Sequence, residues 1–198
     1  RHRARPEQRR FALILFGHPT GNPNSHHAAL AHLEAGRLAA FCVPWMPTPR
    51  ELRLLRLVPG IGAQANRLER RAFEPLRKAV LVQGRAGEWS RLVRRVASRG
   101  RNSEALAYEA NDWLMRTMAQ HTGCPEVTAV HAYEDCALEQ FERAAQLGKR
   151  RIYDMPIGYY PAWEETQAAL FQTYASWLPA TVPSATLVRP AQKRRELE

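Results

Sequence analysis

The sequence predicts an α/β fold, a doubly wound and mostly parallel sheet with residues 1–198 forming one domain. Two observations predict it. Near the start, an apolar run leads through a Gly- and Pro-rich turn into a helical pattern and then a second apolar run, the signature of a β-loop-α-β unit. After residue 126 the same alternation returns, and alternating strands and helices build parallel sheets.

Phe11–Phe16 is a continuous apolar run, as expected of a strand buried on both faces. The turn Gly17–Asn24 follows, and Ser25 or Asn24 is expected to cap a helix carrying Ala28, Leu30, Ala31 and Leu33 that stops at Gly36. A second strand is expected over Leu38–Met46, ended by Pro44 and Pro47. Glu88–Arg99 reads as an amphipathic helix with Trp89, Leu92, Val93 and Val96 on one face. Ser103 is expected to cap a longer helix with Leu106, Ala110, Trp113, Leu114 and Met118 at three-four spacing, ending near Gly123. Val127–Val130 is a strand, Ala137 to Ala145 a helix closed by Gly148, and Arg151–Asp154 a strand. A last helix holds Leu170, Phe171, Tyr174, Trp177 and Leu178, and the tail from Arg189 begins a charged helix.

Composition narrows the functional classes. The chain is 45% hydrophobic and 24% charged, ordinary for a soluble globular protein. No apolar run reaches the roughly 18–20 residues that span a bilayer, and the basic start precedes too short an apolar run for a signal peptide. Cys42, Cys124 and Cys136 have no CxxC spacing, which points to a reducing, cytoplasmic setting and away from disulfides or zinc. The net charge is +10, and Arg50–Arg101 alone holds fourteen Lys or Arg against four Glu, again a net of +10. Such a block suits an anionic partner (nucleic acid, a membrane surface or a phosphorylated substrate) or else a solvated face of Arg-rich helices.

Ligands of doubly wound sheets bind beyond the carboxyl ends of the strands. Three segments occupy that edge. Gly17–Asn24 offers two glycines and a helix N-terminus, suited to phosphate or to a plain tight turn. His131-Ala-Tyr-Glu-Asp135 follows a strand, where a histidine can bond a ligand or move a proton, or be satisfied by nearby backbone. There Glu134 and Asp135 read as helix N-terminal charges. Asp154-Met-Pro-Ile-Gly158 places an acid at a strand end. The dinucleotide GxGxxG, the GxxxxGK[ST] phosphate loop, the GxSxG elbow and HExxH are all absent, and His26-His27 diverge on a helix as poor metal partners.

On Gly21-Asn-Pro-Asn24 behind the opening strand, Val130-His-Ala-Tyr-Glu134 and Ile152-Tyr-Asp-Met-Pro-Ile-Gly158, the chain resembles the N-terminal domain of group 1 (family 4) retaining glycosyltransferases. The end Gln192–Glu198 resembles the helix that leads toward the second domain there, whereas Arg50–Arg101 is covered poorly. The resemblance implies one Rossmann-like half of a two-domain GT-B enzyme: the acceptor side, inactive alone, with the nucleotide-sugar donor held mainly by a C-terminal domain outside this sequence. It implies no metal and no cofactor. It assigns His131 and Asp154 catalytic roles, with Tyr133 at the position of a second histidine. Gly21, Asn22, Asn24, Tyr133 and Glu134 are implied to bind substrate, although the second glycine of the family's paired glycines is missing, so the diphosphate contact departs from the pattern. The acceptor is unspecified, and attachment at the inner face of a membrane is an expectation from the basic segment. The alternatives are a basic, non-catalytic module for nucleic acid or another anion, disfavoured by the absence of a nucleic-acid motif, and a flavodoxin-like ligand sensor.

Overall fold

The computed structural model describes residues 12–58, 61–101, 103–156, 159–177 and 189–198. Its five strands are β1 (Leu13–Gly17), β2 (Leu38–Val43), β3 (Leu81–Gln83), β4 (Val127–Tyr133) and β5 (Arg150–Asp154). They pair in the order β3-β2-β1-β4-β5, and every neighbouring pair is parallel. The described residues also form helices α1 (Pro23–Glu34), α2 (Pro49–Arg56), α3 (Gly62–Glu69), α4 (Arg85–Ala97), α5 (Ser103–Thr122), α6 (Leu138–Gln146), α7 (Tyr160–Thr173) and α8 (Pro190–Leu197), with short 3-10 helices at Glu74–Lys78 and Ala175–Trp177. The predicted α/β, doubly wound class is the observed one.

Parallel strands need helical crossovers, so both faces of the sheet are covered and the strands read as apolar runs rather than alternations. On one face Phe16 stacks on Phe41 with centroids 5.4 Å apart and meets His32 of α1 edge-on. The other face receives α5 at Gly17, where an added Cβ would fall 2.1 Å from Met118 Sδ, so the bare backbone is what admits the helix. Leu15, Val130, Ala132, Leu114, Met115, Met118, Phe141 and Ala144 are all part of the main core.

A second core lies under the basic segment, made of Trp45, Leu52, Leu55, Ile61, Ala65, Leu68 and Leu92. The sequence pattern predicts only the helix near 88–99 in this stretch; the structure adds α2, α3 and β3. Here Leu92 is buried and Val96 packs against the second core, while Trp89 and Val93 stay exposed and Trp89 tilts against Trp45 at 5.6 Å. Among the described residues no helix is long and apolar enough to cross a membrane.

Several boundaries are corrected. Asn22, not Ser25 or Asn24, caps α1: its Oδ1 accepts the Ser25 N–H at 2.8 Å while Ser25 Oγ accepts the Asn22 N–H at 2.9 Å, with Pro23 pre-set for the first turn. β2 stops at Val43, short of Met46. β4 continues to Tyr133, so His131 lies inside a strand and not in the loop after it. The last helix ends at Thr173, and Tyr174 and Trp177 belong to the turn and short 3-10 helix that follow. Phe11, the N-terminal basic arm, Ile157, Gly158 and Leu178 lie outside the described residues.

Candidate functional site at the strand-end edge

The strand order reverses between β1 and β4, where the chain leaves toward β2 on one side and returns toward β5 on the other. Loops that follow such neighbours diverge to opposite faces and leave a crevice. Two groups of side chains meet there.

The first is the loop after β1. His18 is buried, and its Nδ1 accepts the N–H of Gly21 at 2.9 Å and of Thr20 at 3.2 Å. Gly21 adopts φ +64°, and its turn brings the loop back to the start of α1. An Nδ1 that accepts twice requires the proton of the neutral ring on Nε2. That nitrogen lies 3.3 Å from Asn22 Nδ2, whose partner oxygen is spent on the helix cap. Both atoms are therefore donors. Burial, then the charges of His26 and Arg71, push His18 down to about 4. Next to it His26 stacks on Phe73 at 5.1 Å with its buried Nε2 unpaired among the described residues.

The second group is a polar row on the α1 face of the sheet. His32 Nε2 lies 3.1 Å from His131 Nδ1, and His131 Nε2 lies 3.9 Å from Asp154 Oδ2. The ring of His131 rests on Phe16 at 4.4 Å and runs parallel to Tyr133 at 6.2 Å. Burial first, then His32, hold His131 at about 4 against the opposing pull of Asp154. At neutral pH His131 is thus an uncharged ring. Tyr133 is pushed up to about 12 by burial and by its hydrogen bond and proximity to the Asp154 carboxylate, so it stays a phenol. His18 joins the two groups by meeting Tyr133 edge-on at 4.6 Å.

The sequence-assigned residues therefore divide. Gly21, Asn22, His131, Tyr133 and Asp154 come together around the crevice. Asn24 stands exposed on the first turn of α1. Glu134 turns to α8, where Lys193 Nζ donates to its Oε1 and also lies 3.1 Å from Asp135 Oδ1. Glu134 and Asp135 do stand just before α6, whose first turn also carries Glu139, but their oxygens face Lys193. The backbone there is met by Glu196 of α8, its two oxygens accepting the N–H groups of Asp135 and Ala137 at 3.0 Å each.

His18 and His32 were missed by sequence reasoning. His18 was visible directly behind the first strand, in a loop read only for its glycines. His32 carries no local signal, because its role exists only once α1 lies over β4. No cluster able to hold a metal ion occurs among the described residues. Comparison with protein-family models, with curated proteins and with solved structures finds no match to this chain.

Proposed function

We propose that this chain is the acceptor-side half of a retaining glycosyltransferase and seats a hydroxyl-bearing acceptor in the crevice between β1 and β4. The observation that carries the reading is the row His32–His131–Asp154 with Tyr133, which converges with the His18–Asn22 loop at the reversal of strand order. The donor groups are neutral, oriented and largely out of solvent, so they suit sugar hydroxyls and the oxygens of a diphosphate. In this reading His131, with its Nδ1 bonded to His32, presents Nε2 toward Asp154 and the ligand. Asp154 accepts an acceptor hydroxyl, and Tyr133 holds Asp154 in place. The nucleotide-sugar is bound mainly by a second domain, which also supplies most of the electrostatic stabilisation of the leaving diphosphate.

The test is His131→Ala in the full gene product. Turnover should fall roughly a hundredfold or more, with a thermal midpoint that moves only a few degrees. Wild-type turnover in that variant would return His131 to a purely packing role.

A further inference from the structure

Between α3 and α4 a small pocket is lined by Arg67, Arg71, Arg91 and Arg95, with Glu88 the one carboxylate among its lining residues. Both oxygens of Glu88 are in use. Arg71 Nη1 donates to Oε1 at 2.7 Å and Arg91 Nε donates to Oε2 at 2.9 Å, while Arg91 Nη2 also meets Oε1. Arg67 and Arg95 have no carboxylate partner among the described residues. Four guanidinium charges less one carboxylate leave +3.

The placement follows from helical spacing. Arg91 and Arg95 are four apart on one face of α4, and Arg67 and Arg71 are four apart across the end of α3. Two such pairs face each other across Glu88. The excess charge is visible in the groups themselves. Burial, then Arg67 and Arg91, push Arg95 below the usual guanidinium range. Arg71 is pushed down by burial and by Arg91 and Arg67 in spite of Glu88, whereas Glu88 itself is held below the carboxylate range because two arginines outweigh the burial that would raise it. One carboxylate does not neutralise the site.

We propose that this arginine cradle binds a phosphoryl group, carried either by a soluble small molecule or by a lipid headgroup. The cavity volume is about 40 Å³, above the roughly 10–15 Å³ that admits one water-sized group, so an oxygen of a phosphoryl group can enter among the guanidinium groups. A phosphoryl dianion brings the charge near balance where a carboxylate leaves most of the excess, and the planar guanidinium fork matches its oxygens in pairs. The proposal is independent of any transfer reaction.

The experiment is a titration of the chain with inorganic phosphate followed by ³¹P NMR, beside co-sedimentation with phosphatidylcholine vesicles with and without phosphatidic acid. Arg67→Gln combined with Arg95→Gln removes the two unpaired arginines and leaves the Glu88 pairs intact. Arg94→Gln, whose partner is Glu109 outside the pocket, is the control. The double variant should weaken phosphate binding at least about tenfold, with an unchanged circular dichroism melt, while the control stays within about twofold. Binding of free phosphate assigns a soluble ligand. Binding only to vesicles containing phosphatidic acid, lost in the double variant, assigns a headgroup. Absence of both by the unaltered chain, or equal binding by the double variant, overturns the proposal.

Discussion

Nε2 of His32 and Nδ1 of His131 lie 3.1 Å apart across 99 residues of sequence. One of the two must donate, and both rings are held below the usual histidine range, chiefly by burial. His131→Ala and His32→Ala should therefore be non-additive. In a double-mutant cycle read by urea denaturation we expect a coupling of about 0.5–2 kcal/mol; strictly additive losses would mean that the rings merely sit side by side.

The same burial sets the pH response. His18 and His131 are held at about 4 in the folded chain, against 6.5 for the ordinary ring. Above the ordinary value both states are neutral and stability is flat. As pH falls from 6.5 toward 4 the unfolded chain gains protons that the folded chain refuses, so stability drops, by up to about 3 kcal/mol per ring. Urea midpoints at pH 7, 6, 5 and 4 should fall steadily, and His131→Gln should flatten part of the slope. A midpoint that rises on acidification would contradict the buried, neutral rings.

Glu88 is almost wholly out of solvent and holds Arg71 and Arg91, whose side chains are only 14% and 12% exposed. Glu88→Gln leaves two buried guanidinium groups without their counter-charge. The expected cost is about 3 kcal/mol or more, a larger loss than for a surface pair. Thermal denaturation of Glu88→Gln beside Glu109→Gln makes that comparison.

Gly84, at the entry to α4, stands against the ring of Trp113, and a Cβ there would fall 2.5 Å from it. Gly84→Ala should cost about 1–3 kcal/mol by overpacking, and Trp113→Leu in the same chain should recover part of that. Recovery would fail if the strain lay in the backbone, which at φ −99° is ordinary.

What was legible in the sequence follows the reach of each signal. β1, α1 and β2 were readable because a buried parallel strand is an unbroken apolar run and a helix behind it carries its own punctuation. The cap was misplaced by two or three residues because Asn22, Asn24 and Ser25 all have capping side chains, and Pro23 as the first helical residue decides among them. α2 announced itself through Thr48-Pro-Arg-Glu51, a capping box passed over among the arginines: Thr48 Oγ1 accepts the Glu51 N–H at 3.2 Å. β3 has only three residues, Leu81–Gln83, too short for a periodicity to show. Asp154 could be named from a strand end, and His131 from the strand it was placed just beyond and in fact lies within, but His32, Arg67 and Glu196 could not. Their partners lie on other elements, and no spacing in the chain encodes the meeting.

The crevice between β1 and β4 is proposed to serve sugar transfer with retained configuration. The most direct measurement is to incubate the full gene product with a panel of nucleotide-sugars and candidate glycan or lipid-linked acceptors, and to read the new glycosidic linkage by proton NMR. Consumption of one donor is expected, with a product whose anomeric configuration matches it, lost in His131→Ala. A well-folded product that consumes no donor, or one that yields the opposite anomer, contradicts it.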